Sequence, residues 1–505
     1  MRILNNKQEC YLSESLLISK CFLIIAFGFV WSFVLALSWE YEEPSKVVTI
    51  LVCLIVYLTG LFIINYARRT GILVSHYKWI FAFIVKMTVS YLIVKYFWAL
   101  PLDANNMLRT PEQSNLVTDS NFYDYVAVQV VNNGVLNSIH LFFTTWLSFG
   151  VISYITCIYS LFGISIFYVA MFNSLFVLLG VIAIKGIVMC FDQENIKRWD
   201  IVRWLMILPY GSYYDAIPSK EPITSGFFYL SLFFIARLIT DKTSRNKNIF
   251  LFLIGFVFLL LIRPNVGILL LLAPLCFVVK KIGIKKSIVF LSLIFLALFT
   301  VILVTTDLNR FLYGTFNLQN RLEIANGFST LFVKEGSALK TMVWNTLAPR
   351  SIVGGVLLSP VRALVWWYLP YPMIIPKFEV LFHLAYVLKQ NWYLYFRTLE
   401  VCLRMMSTWI LLAASPFVIS SIFCRKSYKK NGYSFLLLNF MVPLLLISNL
   451  MFVMGGRYRV LIEPLFLVLA LWGFYNNKRT ISNVALFICF YAAFLVGVLI
   501  YGLVQ

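Results

Sequence analysis

Charge is scarce in this chain. Only 12% of its 505 residues are Asp, Glu, Lys or Arg, about half the share in a soluble domain. Hydrophobic residues make up 61%, which excludes a string of water-facing globular domains. Acidic residues are scarcer still, 21 against 42 Lys and Arg. A net charge of +21 would suit nucleic acid if it formed one patch. Instead it lies in short clusters between apolar runs: Arg68 and Arg69; Lys242, Arg245 and Lys247; Lys280, Lys281, Lys285 and Lys286; Arg425, Lys426, Lys429 and Lys430; Lys478 and Arg479. That distribution marks the cytoplasmic loops of a membrane protein, so no nucleic-acid partner is expected.

Other absences narrow the reading further. None of the nine cysteines falls in an expected outer loop or at metal-ligand spacing, so a disulfide framework is not expected. No small-residue cleavage site follows the first apolar run, which reads as a retained helix and not a signal peptide. No internal repeat is visible, although many transporters carry one.

What is present is a series of apolar runs from Leu16 to Val504. Runs of about 20 residues can each cross a hydrocarbon core roughly 30 Å thick. The expected fold is all-α, a polytopic transmembrane helical bundle of about 13 spans with outer-face juxtamembrane helices. The spans are placed at 16–37, 47–65, 79–100, 165–190, 200–217, 223–240, 249–262, 265–279, 287–306, 400–423, 434–454, 460–476 and 481–503. With the N-terminus inside, every basic cluster named above faces the cytoplasm. Residues 138–163 are apolar, yet counting them as a crossing would invert everything downstream. They are read as re-entrant or juxtamembrane. The run 361–386 contains Pro370, Pro372 and Pro376, which a straight helix does not tolerate; it is read as an excursion on the outer side. Two long outer loops, 101–137 and 307–397, complete the plan, within a single domain over 1–505.

The polar chemistry then collects on the outer face. The first outer loop carries Asp119, Tyr123 and Asp124, followed by a stretch to Gly134 that suits a short helix, with Asp119 as its cap. Asp215, Lys220 and Glu221 lie in a loop fixed by Pro209, Pro218 and Pro222. Arg263 stands in a short turn, and Arg457, Tyr458 and Arg459 follow a Gly-Gly that lets backbone approach a ligand. Boundary charges of this kind are functional candidates. Their chemistry suits a lipid-linked phosphate or pyrophosphate, with a carboxylate working on a hydroxyl.

The order of these motifs, with Gly134 and His140 leading an aromatic-rich segment, resembles the GT-C superfamily over residues 79–476. These are polytopic glycosyltransferases that use polyprenyl-phosphate-linked sugars, and the likeness is to protein mannosyltransferase and aminoarabinose transferase types. The resemblance implies an inner-membrane enzyme of a bacterium, working on a surface glycan or lipid-linked saccharide acceptor at the extracytoplasmic face. It implies Asp119 as general base, with Asp124 as the alternative, and Arg263, Arg457, Arg459 and Lys220 as donor-phosphate contacts. Glu221, Asp215, Tyr123, His140 and Tyr458 would line the substrate cavity. No cofactor is demanded, and a divalent metal is compatible. A single catalytic carboxylate implies inversion at the sugar carbon. Two rival expectations stand beside it: a surface-polysaccharide (O-antigen-type) polymerase or ligase using a lipid-pyrophosphate oligosaccharide, for which Arg310, Arg321, Arg350 and Arg362 are equally suited, and a flippase for lipid-linked sugars.

Overall fold

The computed structural model describes residues 21–39, 45–95, 119–134, 149–190, 192, 195–240, 244–263 and 460–476, with further positions between 266 and 273 and between 403 and 421. Regular secondary structure among the described residues is all helical, without a strand. The chain divides into two compact units, Met1–Phe233 and Phe234–Gln505. Among the described residues, three helices are long and apolar enough to cross a membrane: Lys46–Arg69, Ile166–Met189 and Arg245–Ile262. This is a helical membrane protein.

The first unit opens with α1 (Cys21–Leu37), α2 (Lys46–Arg69) and α3 (His76–Ile93). Helix α2 starts where the Ser45 hydroxyl accepts from Val48 N at 3.3 Å. It ends with Arg68 and Arg69 in the last turn, where cations suit the helix dipole. Its 24 residues span about 36 Å at 1.5 Å per residue, enough to cross a bilayer core. Then come α4 (Asp119–Asn133), α5 (Phe149–Phe162) and α6 (Ile166–Met189). Gly134 and Gly163, both at positive φ, end α4 and α5; glycine takes that backbone without a Cβ clash.

Side-chain pairings fix how these helices run. Tyr57 OH donates to Ile25 O at 2.9 Å and Lys46 Nζ donates to Trp39 O, so α2 runs antiparallel to α1. Trp31 Nε1 donates to Thr88 at 2.8 Å and Tyr91 OH to Ser38 O at 3.0 Å, so α3 runs parallel to α1. Ser90 and Ser174 hydroxyls meet at 3.2 Å, while Trp79 and Lys185 share Asp200, so α6 runs antiparallel to α3. The start of α6 also meets the start of α2, through Tyr168 and Thr49 at 3.1 Å. The segment between α3 and α6 therefore leaves and re-enters the bundle at one end. It contains an even number of crossings, and α5, with 14 residues, reaches only about 21 Å. The opposite end carries Arg68, Arg69, Lys78, Lys197 and Arg198 and is called the basic end below.

The segment expected as a span at 200–217 is not one continuous helix. A 3-10 helix, Arg198–Ile207, is followed by the short α7, Pro209–Asp215. Leu208 between them has ψ 130, because a residue before proline is driven out of the α region and proline cannot donate to the preceding turn. The expected loop from Pro209 is thus helical in its first half. Helix α8 (Glu221–Thr240) follows and runs parallel to α6, with Gly226 against Phe176 and Gly186 against Phe233.

In the second unit, α9 (Arg245–Ile262) ends at Arg263, whose carbonyl accepts from Val266 N and Gly267 N. Helices α10 (Met406–Val418) and α11 (Glu463–Asn476) run parallel, because Ser407 Oγ donates to Glu463 Oε2 at 3.1 Å and Gly473 packs on the Phe417 backbone. The spans expected at 287–306, 434–454 and 481–503, the run 361–386 and the loop 307–397 lie outside the described residues.

Candidate functional site

Five of the residues singled out in the sequence come together in the first unit, on its non-basic side. Helix α4 begins at Asp119, whose side chain lies outside the description. Just over one turn on, Tyr123 and Asp124 are both buried, 5% and 4% exposed. The Tyr159 hydroxyl of α5 donates to Asp124 Oδ1. Tyr159 is itself 1% exposed. A carboxylate this deep needs such a donor, because burying an unpartnered charge costs several kcal/mol or more.

The connection between α7 and α8 arrives beside it. Lys220 Nζ lies 5.2 Å from the centre of the Tyr123 ring, a cation–π distance. The backbone is pinned here by Thr224 N donating to Lys220 O at 2.9 Å and Ser219 Oγ to Tyr214 O at 2.7 Å. Glu221 opens α8 and is 6% exposed. Its charge acts on Asp215, the last residue of α7.

Asp215 is paired with a residue that sequence reading missed. Lys86 Nζ, on α3, lies 2.7 Å from Asp215 Oδ2, and its side chain is 0% exposed. Two backbone carbonyls at and just past the end of α7 are met by Asn173 of α6: its Nδ2 donates to Asp215 O at 3.0 Å and to Ile217 O at 3.2 Å. Tyr154 of α5 donates in turn to Asn173 Oδ1 at 3.1 Å. The buried hydroxyls of Ser212 and Thr224, one turn before Asp215 and one after Glu221, have no partner among the described residues.

A second buried ion pair lies toward the basic end. Lys185 Nζ is 3.1 Å from Asp200 Oδ1 and also donates to Ile196 O. Trp79 Nε1 reaches the same Asp200 oxygen at 3.5 Å. This pair ties the 3-10 helix to α3 and α6. Nearby, Cys21 Sγ meets His76 Nε2. Burial, reinforced by the Arg68 guanidinium, lowers the His76 imidazole below its usual value.

Of the remaining expected residues, Arg263 belongs to the second unit as the cap of α9. His140, Arg457, Tyr458 and Arg459 lie outside the described residues. Glu463, just beyond that arginine pair, is the first residue of α11 and is held by Ser407. Among the described residues, no group of three or more His, Cys, Asp and Glu could hold a metal ion.

The arrangement offers a buried carboxylate at Asp124, with an ammonium one residue away over Tyr123. The first can accept a proton from a hydroxyl, and the second can offset a developing anion. Comparison of the chain with protein-family models, curated proteins and solved structures finds no match.

Proposed function

We propose that this protein is a membrane glycosyltransferase that moves a sugar from a polyprenyl-phosphate-linked donor to a surface glycan or lipid-linked acceptor. The reaction is assigned to the end of the bundle opposite the basic clusters, the extracytoplasmic face of a bacterial inner membrane. One observation carries the reading. Asp124, held by Tyr159, and Lys220, held over the neighbouring Tyr123, come from separate connections and are linked through Tyr123 at that end.

In the proposed step Asp124 takes the acceptor hydroxyl proton as that oxygen bonds to the anomeric carbon. The bond from that carbon to the donor phosphate oxygen breaks, and its electron pair leaves with the phosphate. Lys220 offsets the charge that accumulates there. A leaving phosphate needs no general acid, and one carboxylate gives inversion. A divalent metal would assist the same charge and is not required by this scheme.

The test is Asp124→Asn beside Asp119→Asn, with a radiolabelled polyprenyl-phosphate hexose as donor. Asp124→Asn is expected to bind donor and lose transfer by about 10²–10⁴-fold, while Asp119→Asn works. The opposite pattern moves the base to Asp119. Full activity in both removes α4 from the chemistry.

A second reading, a flippase for lipid-linked sugars, is favoured by the Lys86–Asp215 pair, since opposite charges buried within a membrane bundle often mark a translocation path. Vesicles containing the pure protein separate the two. A flippase moves labelled lipid-linked sugar between leaflets with no acceptor present, whereas a transferase changes the lipid only when an acceptor is supplied.

A further inference from the structure

Asn173 looks at first like a helix cap. The last carbonyls of a helix lack partners within it, and the Asn173 amide donates to one such group, at Asp215, and to the carbonyl of Ile217 two residues on. A cap, however, needs only its donors. The acceptor oxygen of Asn173 is also used, and the donor is Tyr154 of α5. That helix, five residues further on, carries Tyr159, which holds Asp124. On the other side, three residues beyond Ile217, Lys220 reaches back over Tyr123, the neighbour of Asp124.

The contacts therefore close a circuit: Asp124 to Tyr159, along α5 to Tyr154, to Asn173, to the 215–217 backbone, to Lys220, and across Tyr123 to Asp124. Asn173 is fully buried, and its side chain is hydrogen-bonded to both arms. Lys86 pins the same end of α7 from α3 through Asp215, so the Lys220 arm is anchored at the point where Asn173 joins it to α5. We propose that Asn173 is a positioning residue that sets the separation between the Asp124 carboxylate and the Lys220 ammonium. The kinetic arm of its test rests on the glycosyl-transfer reading; the geometric arm does not.

If each arm binds its own substrate, changing their separation leaves both affinities in place and slows the reaction itself. Misplacing reacting groups by about 1 Å costs on the order of 10²-fold. Tyr154→Phe is the deciding variant, because it cuts the circuit and leaves both 215–217 carbonyls capped. A pure capping role predicts no change in Tyr154→Phe. A positioning role predicts kcat lower by about 10²-fold, with donor and acceptor KM changed by less than about threefold. Asn173→Asp, which keeps the acceptor and loses both donors, should show the same split.

The geometric arm uses Tyr123→Cys with Lys220→Cys, bridged in membranes by a short bifunctional maleimide, the joined peptides being quantified by mass spectrometry. Adding Tyr154→Phe is expected to lower the 123–220 yield several-fold. An unchanged yield together with unchanged kcat overturns the proposal. If the native chain transfers no sugar at all, the functional reading fails and the crosslink yield alone decides the role of Asn173.

Discussion

Lys86 shows what a single buried charge does in this bundle. Its ammonium is removed from solvent and satisfied by Asp215 at 2.7 Å, so the two charges stand or fall together. Removing one partner leaves the other buried and uncompensated, at a cost of about 3–5 kcal/mol, whereas replacing both with apolar groups of similar volume is often neutral. Lys86→Met and Asp215→Leu should each lower the unfolding temperature sharply in lipid nanodiscs, and the double variant should recover most of the loss. Equal loss in the double variant would mean that the pair does not act as a unit. The signal for Lys86 was in the sequence, a lysine inside the apolar run 79–100, where an ionisable group marks a functional or paired site. Its partner was legible only as a loop residue, because nothing local reveals that Asp215 turns inward. The same holds for Tyr159 and Asn173: each is an ordinary polar residue in its own helix and gains a role from a neighbour far along the chain. His76 gives a test of another kind. Its folded-state value is lowered by burial and Arg68, so the native state favours the neutral ring. Its stability contribution is present above the unfolded value of about 6.5 and is lost as pH falls below it. The drop in unfolding temperature between pH 8 and pH 5.5 should be smaller in His76→Gln than in the native chain.

At the scale of elements, glycine sets how closely these helices pack. A Cβ on Gly60 would lie 2.2 Å from the Phe83 ring, so Gly60→Ala must push α2 from α3 or strain the ring. Such overpacking costs about 1–3 kcal/mol. Gly60→Ala is expected to destabilise by that amount, and Phe83→Leu in the same chain to relieve it, both measured by thermal unfolding. Gly134 has a different constraint: φ is 81 and nothing lies within 4 Å of a Cβ there, so only its backbone conformation resists substitution. Where apolar runs were long, as at 46–69 and 166–189, sequence and structure agree within a few residues, because burial and backbone satisfaction in lipid leave one solution. Where a proline interrupts the run, hydropathy alone does not give the helix boundaries. The stretch 200–217 is apolar enough to suggest a span, yet Pro209 divides it into a 3-10 helix and a seven-residue α-helix. That break turns Asp215 toward Lys86 and brings Lys220 to Tyr123.

The arrangement of the first unit depends on parity more than on any one contact. Because α2 and α6 both run opposite to α3, the connection holding α4 and α5 begins and ends on one side, and the helix that carries Asp124 belongs to that connection. In the proposed orientation the side with Arg68 and Arg69 is cytoplasmic, following the positive-inside rule, and the Asp124 and Lys220 region faces the exterior, where the proposed donor is lipid-linked. Three cysteine variants probe this arrangement with a membrane-impermeant thiol reagent on intact cells. Ser45→Cys and Arg69→Cys lie at opposite ends of the single helix α2, and Phe122→Cys is exposed on α4 beside Tyr123. Ser45→Cys and Phe122→Cys should label from outside, and Arg69→Cys only after the membrane is opened. The reverse pattern would keep the helix order but turn the site to the cytoplasm, ending the case for a lipid-linked donor. Ser45→Cys and Phe122→Cys labelling from opposite sides would break the parity itself, and with it the meeting of Asp124 and Lys220 on which the proposed chemistry depends.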